Sequence, residues 1–156
     1  MIPNYNNEAV LESRVRELIK NEICKNNEDI VLLESKKVVD ILICKNGSSP
    51  KLFFIEVKYH VSKHGRLGFG SGNGVGFQPE IVSKKPDYFE NNLMWVVASQ
   101  DHMDTGILFL SSSTIRKYIA GGCVGRKYNN IQKKIFSEQQ GYSEIELIKR
   151  IKEWIE

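Results

Sequence analysis

The stretch DILICKNGSSPKLFFIEVK, running from Asp40 to Lys58, decides how the chain is read. It holds two apolar runs, Ile41 to Cys44 and Leu52 to Val57, separated by Asn46-Gly47-Ser48-Ser49-Pro50. Short runs rich in β-branched and aromatic residues around a cluster of turn formers predict a β-hairpin. Asp40 is the only charge in the run Val38 to Ile43, and Glu56 the only one from Leu52 to Val57. A carboxylate buried in a strand is costly unless a cation or hydrogen-bond donors compensate it. Side chains alternate along a strand, so Glu56 and Lys58 share one face while Ile55 and Val57 take the other. With the loop centred near Ser48, Asp40 falls opposite Glu56. Paired residues bring their Cβ atoms to roughly 4.5–5.5 Å, so two carboxylates and an ammonium converge on one spot.

Two close carboxylates repel and favour a cation between them. A hard divalent ion such as Mg²⁺ takes oxygen ligands and keeps several waters. Such an ion polarises a phosphate oxygen and acidifies water. A neighbouring lysine can orient or deprotonate the attacking water, or offset charge on a phosphorane. That equipment suits phosphodiester hydrolysis. The plain alternative is a surface hairpin whose Asp, Glu and Lys form an exposed ion pair.

Asp40, the hairpin and Glu56-Val57-Lys58 together resemble the D…E-x-K signature of the PD-(D/E)XK, or restriction-endonuclease-like, nuclease superfamily. The proline that often precedes the Asp is Val39 here. A literal Pro86-Asp87 is followed by no E-x-K strand and reads as a turn. The resemblance covers about the first 60 residues, and the strand from Leu93 to Ser99 loosely. It implies an α/β (α+β) fold with a central mixed sheet flanked by helices. It implies Mg²⁺, replaceable by Mn²⁺, held by Asp40, Glu56 and the Val57 backbone carbonyl, with Lys58 assisting the water. An acidic residue on the preceding helix, Glu12 first and Glu8 second, would support the metal or its waters.

Outward from the hairpin, Leu11, Val15, Leu18, Ile19 and Ile23 recur at helical spacing and predict a helix from about Asn7 to Lys25. Strands are expected at Asp29 to Glu34, Lys37 to Cys44, Lys51 to Tyr59, Leu93 to Ser99 and Gly106 to Leu110. Gln78 to Lys85, confined by Pro79 and Pro86, reads as a short helix. Ser113 to Ala120 and Asn129 to Phe136 also read as helical. Ser143 to Ile155 closes the chain as an amphipathic helix with Ser143, Glu144 and Glu146 at its start. Its stripe of Ile145, Leu147, Ile148, Ile151, Trp154 and Ile155 reads as core or dimer contact.

The chain has 156 residues, 41% of them hydrophobic and 26% charged, which fits one domain, residues 1–156, with a real core. No apolar run reaches the roughly 18 residues of a membrane span. The polar start from Met1 to Glu12 does not read as a signal peptide, so a cytoplasmic protein is expected. Cys24, Cys44 and Cys123 are odd in number and widely spaced, which argues against a disulfide framework or a zinc ribbon. The net charge of +3 says little by itself.

The loop from Gly65 to Gly76 has neither a P-loop nor a G-x-G-x-x-G pattern. It is either a loop whose amides, with Lys63 and Arg66, approach a DNA backbone, or plain solvent loop. Gln78 is a further candidate near the site. His60 and His64 share i, i+4 spacing but fall at a strand end and loop, where plain polar loop histidines are expected. Arg116, Lys117, Arg126, Lys127, Lys133 and Lys134, with Tyr118 and Tyr128 among them, form a basic stretch able to meet phosphates. The reading is a Mg²⁺-dependent DNA endonuclease, restriction-type first, with a junction resolvase or repair nuclease as alternative. One catalytic core makes one nick, so a homodimer is expected, and a restriction-type protein would act beside a companion subunit or methyltransferase. The rivals of another class are a non-catalytic DNA-binding subunit of the same fold and a binding module for a small anion.

Overall fold

The computed structural model describes residues 4–34, 39–62, 67–68, 91–118 and 130–156. Helix α1 spans Glu8–Glu22 and is followed by a 3-10 turn, Cys24–Asn26. Strands β1 (Ile30–Leu33), β2 (Ile41–Lys45) and β3 (Lys51–His60) come next, then β4 (Leu67–Gly68), β5 (Leu93–Ser99) and β6 (Ile107–Ser111). Helix α2 (Ser112–Lys117), β7 (Asn130–Ile131), α3 (Ile135–Glu138), β8 (Gly141–Tyr142) and α4 (Glu144–Ile155) complete the order.

Six strands form one mixed sheet in the order β1-β2-β3-β5-β6-β8, and β4 pairs with β7 apart from it. The pairs β1–β2, β2–β3, β5–β6 and β6–β8 are antiparallel, whereas β3 and β5 run parallel. The chain is thus α/β, with a central mixed sheet flanked by helices. Among the described residues no helix is long and apolar enough to cross a membrane.

The expected apolar stripe of α1 is observed. Leu11, Val15, Ile19 and Ile23 are fully buried, and Asn7 caps the helix by accepting a hydrogen bond from the Val10 amide. Helix α4 begins with a reciprocal capping box between Ser143 and Glu146 and buries Leu147, Ile148, Ile151 and Ile155. Ile145 of the expected stripe is instead 85% exposed. Trp154 packs edge-on against Phe53 and Phe109, and its indole N–H donates to the Asn91 carbonyl. Both helices cover one sheet face, against Ile41, Ile43, Phe53, Ile55, Val57 and Tyr59. The other face packs Trp95, Val97, Leu108 and Leu110 against Ile115, Ile135 and Phe136. Full burial of such an apolar side chain contributes about 1.5–3 kcal/mol, so the two clusters hold the sheet from both sides.

An ion pair ties the ends of the chain together. Arg14 grips the Glu144 carboxylate with Nε and Nη2, at 2.9 and 3.0 Å, and the Tyr5 hydroxyl donates to the same carboxylate at 2.9 Å. The guanidinium hydrogen bond holds the Glu144 carboxyl below its ordinary range. Since Tyr5 also stacks edge-on against Tyr59, the clamp fixes where α1 begins relative to β3.

Several expected elements are corrected. The helical reading of Asn129 to Phe136 gives way to a two-residue strand and a short helix that starts only at Ile135. The second strand begins at Ile41, while residues 35–38 and the expected helix from Gln78 to Lys85 lie outside the described residues. Strand β8 carries no periodicity because it is two residues long. Its pairing with β6 depends on glycine. Gly106 has φ +93°, and a Cβ there would stand 2.7 Å from the Tyr142 carbonyl oxygen, while one on Gly141 would overlap the Thr105 carbonyl. Gly141→Ala is expected to lower the unfolding free energy by about 1–3 kcal/mol. Urea denaturation checks this, and a wild-type midpoint would mean that β8 yields without cost.

Candidate functional site

The hairpin register starts at Ile41↔Ile55 and closes at Lys45↔Lys51. One step beyond Ile41↔Ile55, the same register sets Asp40 opposite Glu56. Glu56 and Lys58 alternate with Ile55, Val57 and Tyr59, which take the face covered by α1 and α4, and Asp40 stands beside them at the open edge of β3. Glu56 is 1% exposed and Lys58 8%. The Asp40 and Glu56 carboxyls are hydrogen-bonded to each other.

Strand lengths explain this crowding. β3 has ten residues and β2 only five, so the far half of β3 continues where β2 has not begun. Backbone N–H groups left without a strand partner need another acceptor. Carboxylates supply it: Asp40 Oδ2 accepts from the Val57 amide at 2.7 Å, and the Glu8 carboxylate accepts from the Tyr59 amide. Two acids therefore line the edge of β3 where β2 would otherwise run.

The electrostatics follow from this geometry. Burial first, and then the negative charge of Asp40, push the Glu56 carboxyl up to about 9, while Lys58 pulls the other way. Glu56 thus holds its proton at neutral pH and donates it to Asp40. Burial also raises the Glu8 carboxyl, opposed by Lys58, whose Nζ lies 3.8 Å from Glu8 Oε1.

The helix acid that meets Lys58 is accordingly Glu8. Glu12 turns toward Arg16, with Nε and Oε1 3.2 Å apart. Arg16 in turn donates through Nη2 to the Asp40 carbonyl. Nothing in the hairpin points to Arg16. The available signal was on α1, where Glu8, Glu12, Arg16 and Lys20 recur every four residues as a polar stripe.

His60 stands at a strand end as expected, the last residue of β3, but it is buried at 1% exposed and so is no plain polar loop residue, with Nδ1 2.9 Å from Ser99 Oγ and 3.8 Å from Asp101 Oδ2. Tyr118 is buried in the core beside Ile115, and its hydroxyl accepts from Gln139, so it does not share the surface with the basic residues around it in sequence. Lys117, Lys133 and Lys134 are exposed. Lys63, His64, Arg66, Gln78, Lys84, Lys85, Cys123, Arg126, Lys127 and Tyr128 lie outside the described residues, as does the glycine-rich loop apart from Leu67–Gly68.

Among the described residues no group of three or more His, Cys, Asp or Glu side chains forms a cage for a metal. Mg²⁺ needs no such cage, since it binds through one or two carboxylates and keeps its waters. The donor set fits an ion of that kind: two contiguous carboxyls whose mutual repulsion a cation would relieve, with an ammonium on the same face. Val57, whose carbonyl is expected as a ligand, stands in register with Val96 of β5 and turns its amide to Asp40 at the open edge of β3.

No protein-family model matches the chain, and comparison with curated proteins gives no match.

Proposed function

We propose that the chain is a Mg²⁺-dependent DNA endonuclease with a restriction-endonuclease-like core. The observation that carries this reading is the contact between the Asp40 and Glu56 carboxyls beside Lys58, on one face where β2 stops short of β3. The element order also supports it, because α1, β1 and β2 precede β3, the strand of the E-x-K residues, in the order the superfamily resemblance calls for.

In this mechanism Asp40 and Glu56 would hold the divalent cation, with the Val57 carbonyl as a further oxygen donor. When bound, the ion supplies Lewis-acid polarisation of a phosphate oxygen. Lys58 orients the attacking water and offsets negative charge that develops at phosphorus. Glu8 keeps the Lys58 ammonium from swinging away, since the two lie within ion-pair distance. Glu56 would hold the cation as a carboxylate, its proton released to solvent. Of the candidate nucleic-acid contacts, Lys63, Arg66, Gln78, Arg126 and Lys127 remain for the DNA backbone. A homodimer would cut both strands.

The test is cleavage of plasmid, branched and single-stranded DNA with Mg²⁺, Mn²⁺ or EDTA. Cleavage that requires the divalent ion and stops in EDTA is expected. Binding without cleavage in every metal would favour the non-catalytic subunit instead, and neither binding nor cleavage would remove the nuclease reading altogether.

A further inference from the structure

Resting on that reading of Asp40, we infer that Arg16 is a positioning residue for the site. It holds the backbone at Asp40 so that the carboxyl stays aimed at Val57 and Glu56. Asp40 precedes the first ladder pair, Ile41↔Ile55, so β2 does not by itself fix its orientation. Two contacts do. Its carbonyl accepts from Arg16 Nη2, and its carboxylate accepts from the Val57 amide at 2.7 Å. Arg16 is itself oriented by Glu12, one helical turn earlier on α1, through Nε.

The result is a chain of contacts from Glu12 through Arg16 and Asp40 to Val57, joining the α1 helix to the edge of β3. A guanidinium suits this place because its planar fork presents several donors in fixed directions. One edge takes Glu12 while a second nitrogen reaches the carbonyl. Glu12 then serves the site through Arg16, by orienting it.

Amide hydrogen exchange tests this without any need for catalysis. In Arg16→Ala the Val57 amide is expected to exchange at least about ten-fold faster while Ile55, inside the ladder, is unchanged, because only a local opening is affected. Arg16→Gln retains an N–H donor for the carbonyl and should recover much of the protection. In the same variants the Mg²⁺ concentration for half-maximal cleavage should rise for Ala more than for Gln, with DNA affinity in Ca²⁺ unchanged.

Unchanged Val57 exchange in Arg16→Ala overturns the inference. Equal acceleration at Ile55 and Val57 also overturns it, since Arg16 would then be a general stabiliser. Weaker DNA binding with a salt slope reduced by about one, and Val57 unmoved, would make Arg16 a phosphate contact and overturn it too. If wild-type protein neither cuts DNA nor responds to Mg²⁺, the nuclease reading fails. The Val57 measurement still decides whether Arg16 holds Asp40.

Discussion

Asp40→Asn is expected to lower Mg²⁺-dependent cleavage at least about a thousand-fold while leaving the hairpin folded. The substitution separates charge from shape. Asparagine keeps an oxygen that can accept from the Val57 amide, so the edge of β3 remains satisfied. What is lost is the negative charge that would hold the cation against the neighbouring Glu56 carboxyl. Lys58→Ala should lower kcat by about a hundred-fold or more while Mg²⁺ binding persists, because the lysine acts on water and phosphate. Plasmid nicking and isothermal titration with Mg²⁺ measure the two effects separately. Retention of activity within ten-fold of wild type in Asp40→Asn would sink the assignment.

Glu56→Gln should produce the second large effect, with opposite signs for stability and activity. The Glu56 carboxyl sits at about 9 in the folded chain against an ordinary 4.5. Between those values the folded protein keeps a proton that the unfolded chain has released. Stability therefore falls as pH rises across that window, by at most about 1.4 kcal/mol per pH unit, and levels off on either side. Glutamine cannot ionise, yet its amide can still donate to Asp40. In EDTA at pH 8 the variant is expected to unfold on the order of 2 kcal/mol less readily than wild type, and its stability should lose the downward slope. Cleavage should disappear. Added Mg²⁺ should raise the wild-type melting temperature more at pH 8 than at pH 6, since the cation competes with the proton, and should leave Glu56→Gln unmoved. Parallel pH–stability curves for the two proteins would show that Glu56 does not carry this cost.

Asp40, Glu56 and Lys58 could be related from sequence because two strong local constraints act on them. Alternation assigns faces, and a hairpin of known loop length sets the register; neither depends on distant parts of the chain. The stripes of α1 and α4 were legible for the same reason. The choice between Glu8 and Glu12 was different. They lie one turn apart on the same side of α1, and which of them meets Lys58 depends on how far α1 slides along β3. That is set by the grip of Arg14 and Tyr5 on Glu144, from the other end of the chain. Arg16 was missed because its partner is a backbone carbonyl, which no side-chain pattern records. His60 and Tyr118 looked exposed because polar or basic neighbours surround them in sequence, whereas each packs against distant residues such as Ser99 and Gln139.

The mismatch in length between β2 and β3 also makes the site easy to switch off in evolution. Four more residues of β2, added in register beyond Ile41, would set main-chain carbonyls opposite the Val57 and Tyr59 amides. The acids at Asp40 and Glu8 would be displaced without any change to Glu56 or Lys58. A descendant of this chain could keep its E-x-K letters and its sheet intact and still be inert. Another could gain a site merely by trimming a strand, provided an acid stood at the cut end.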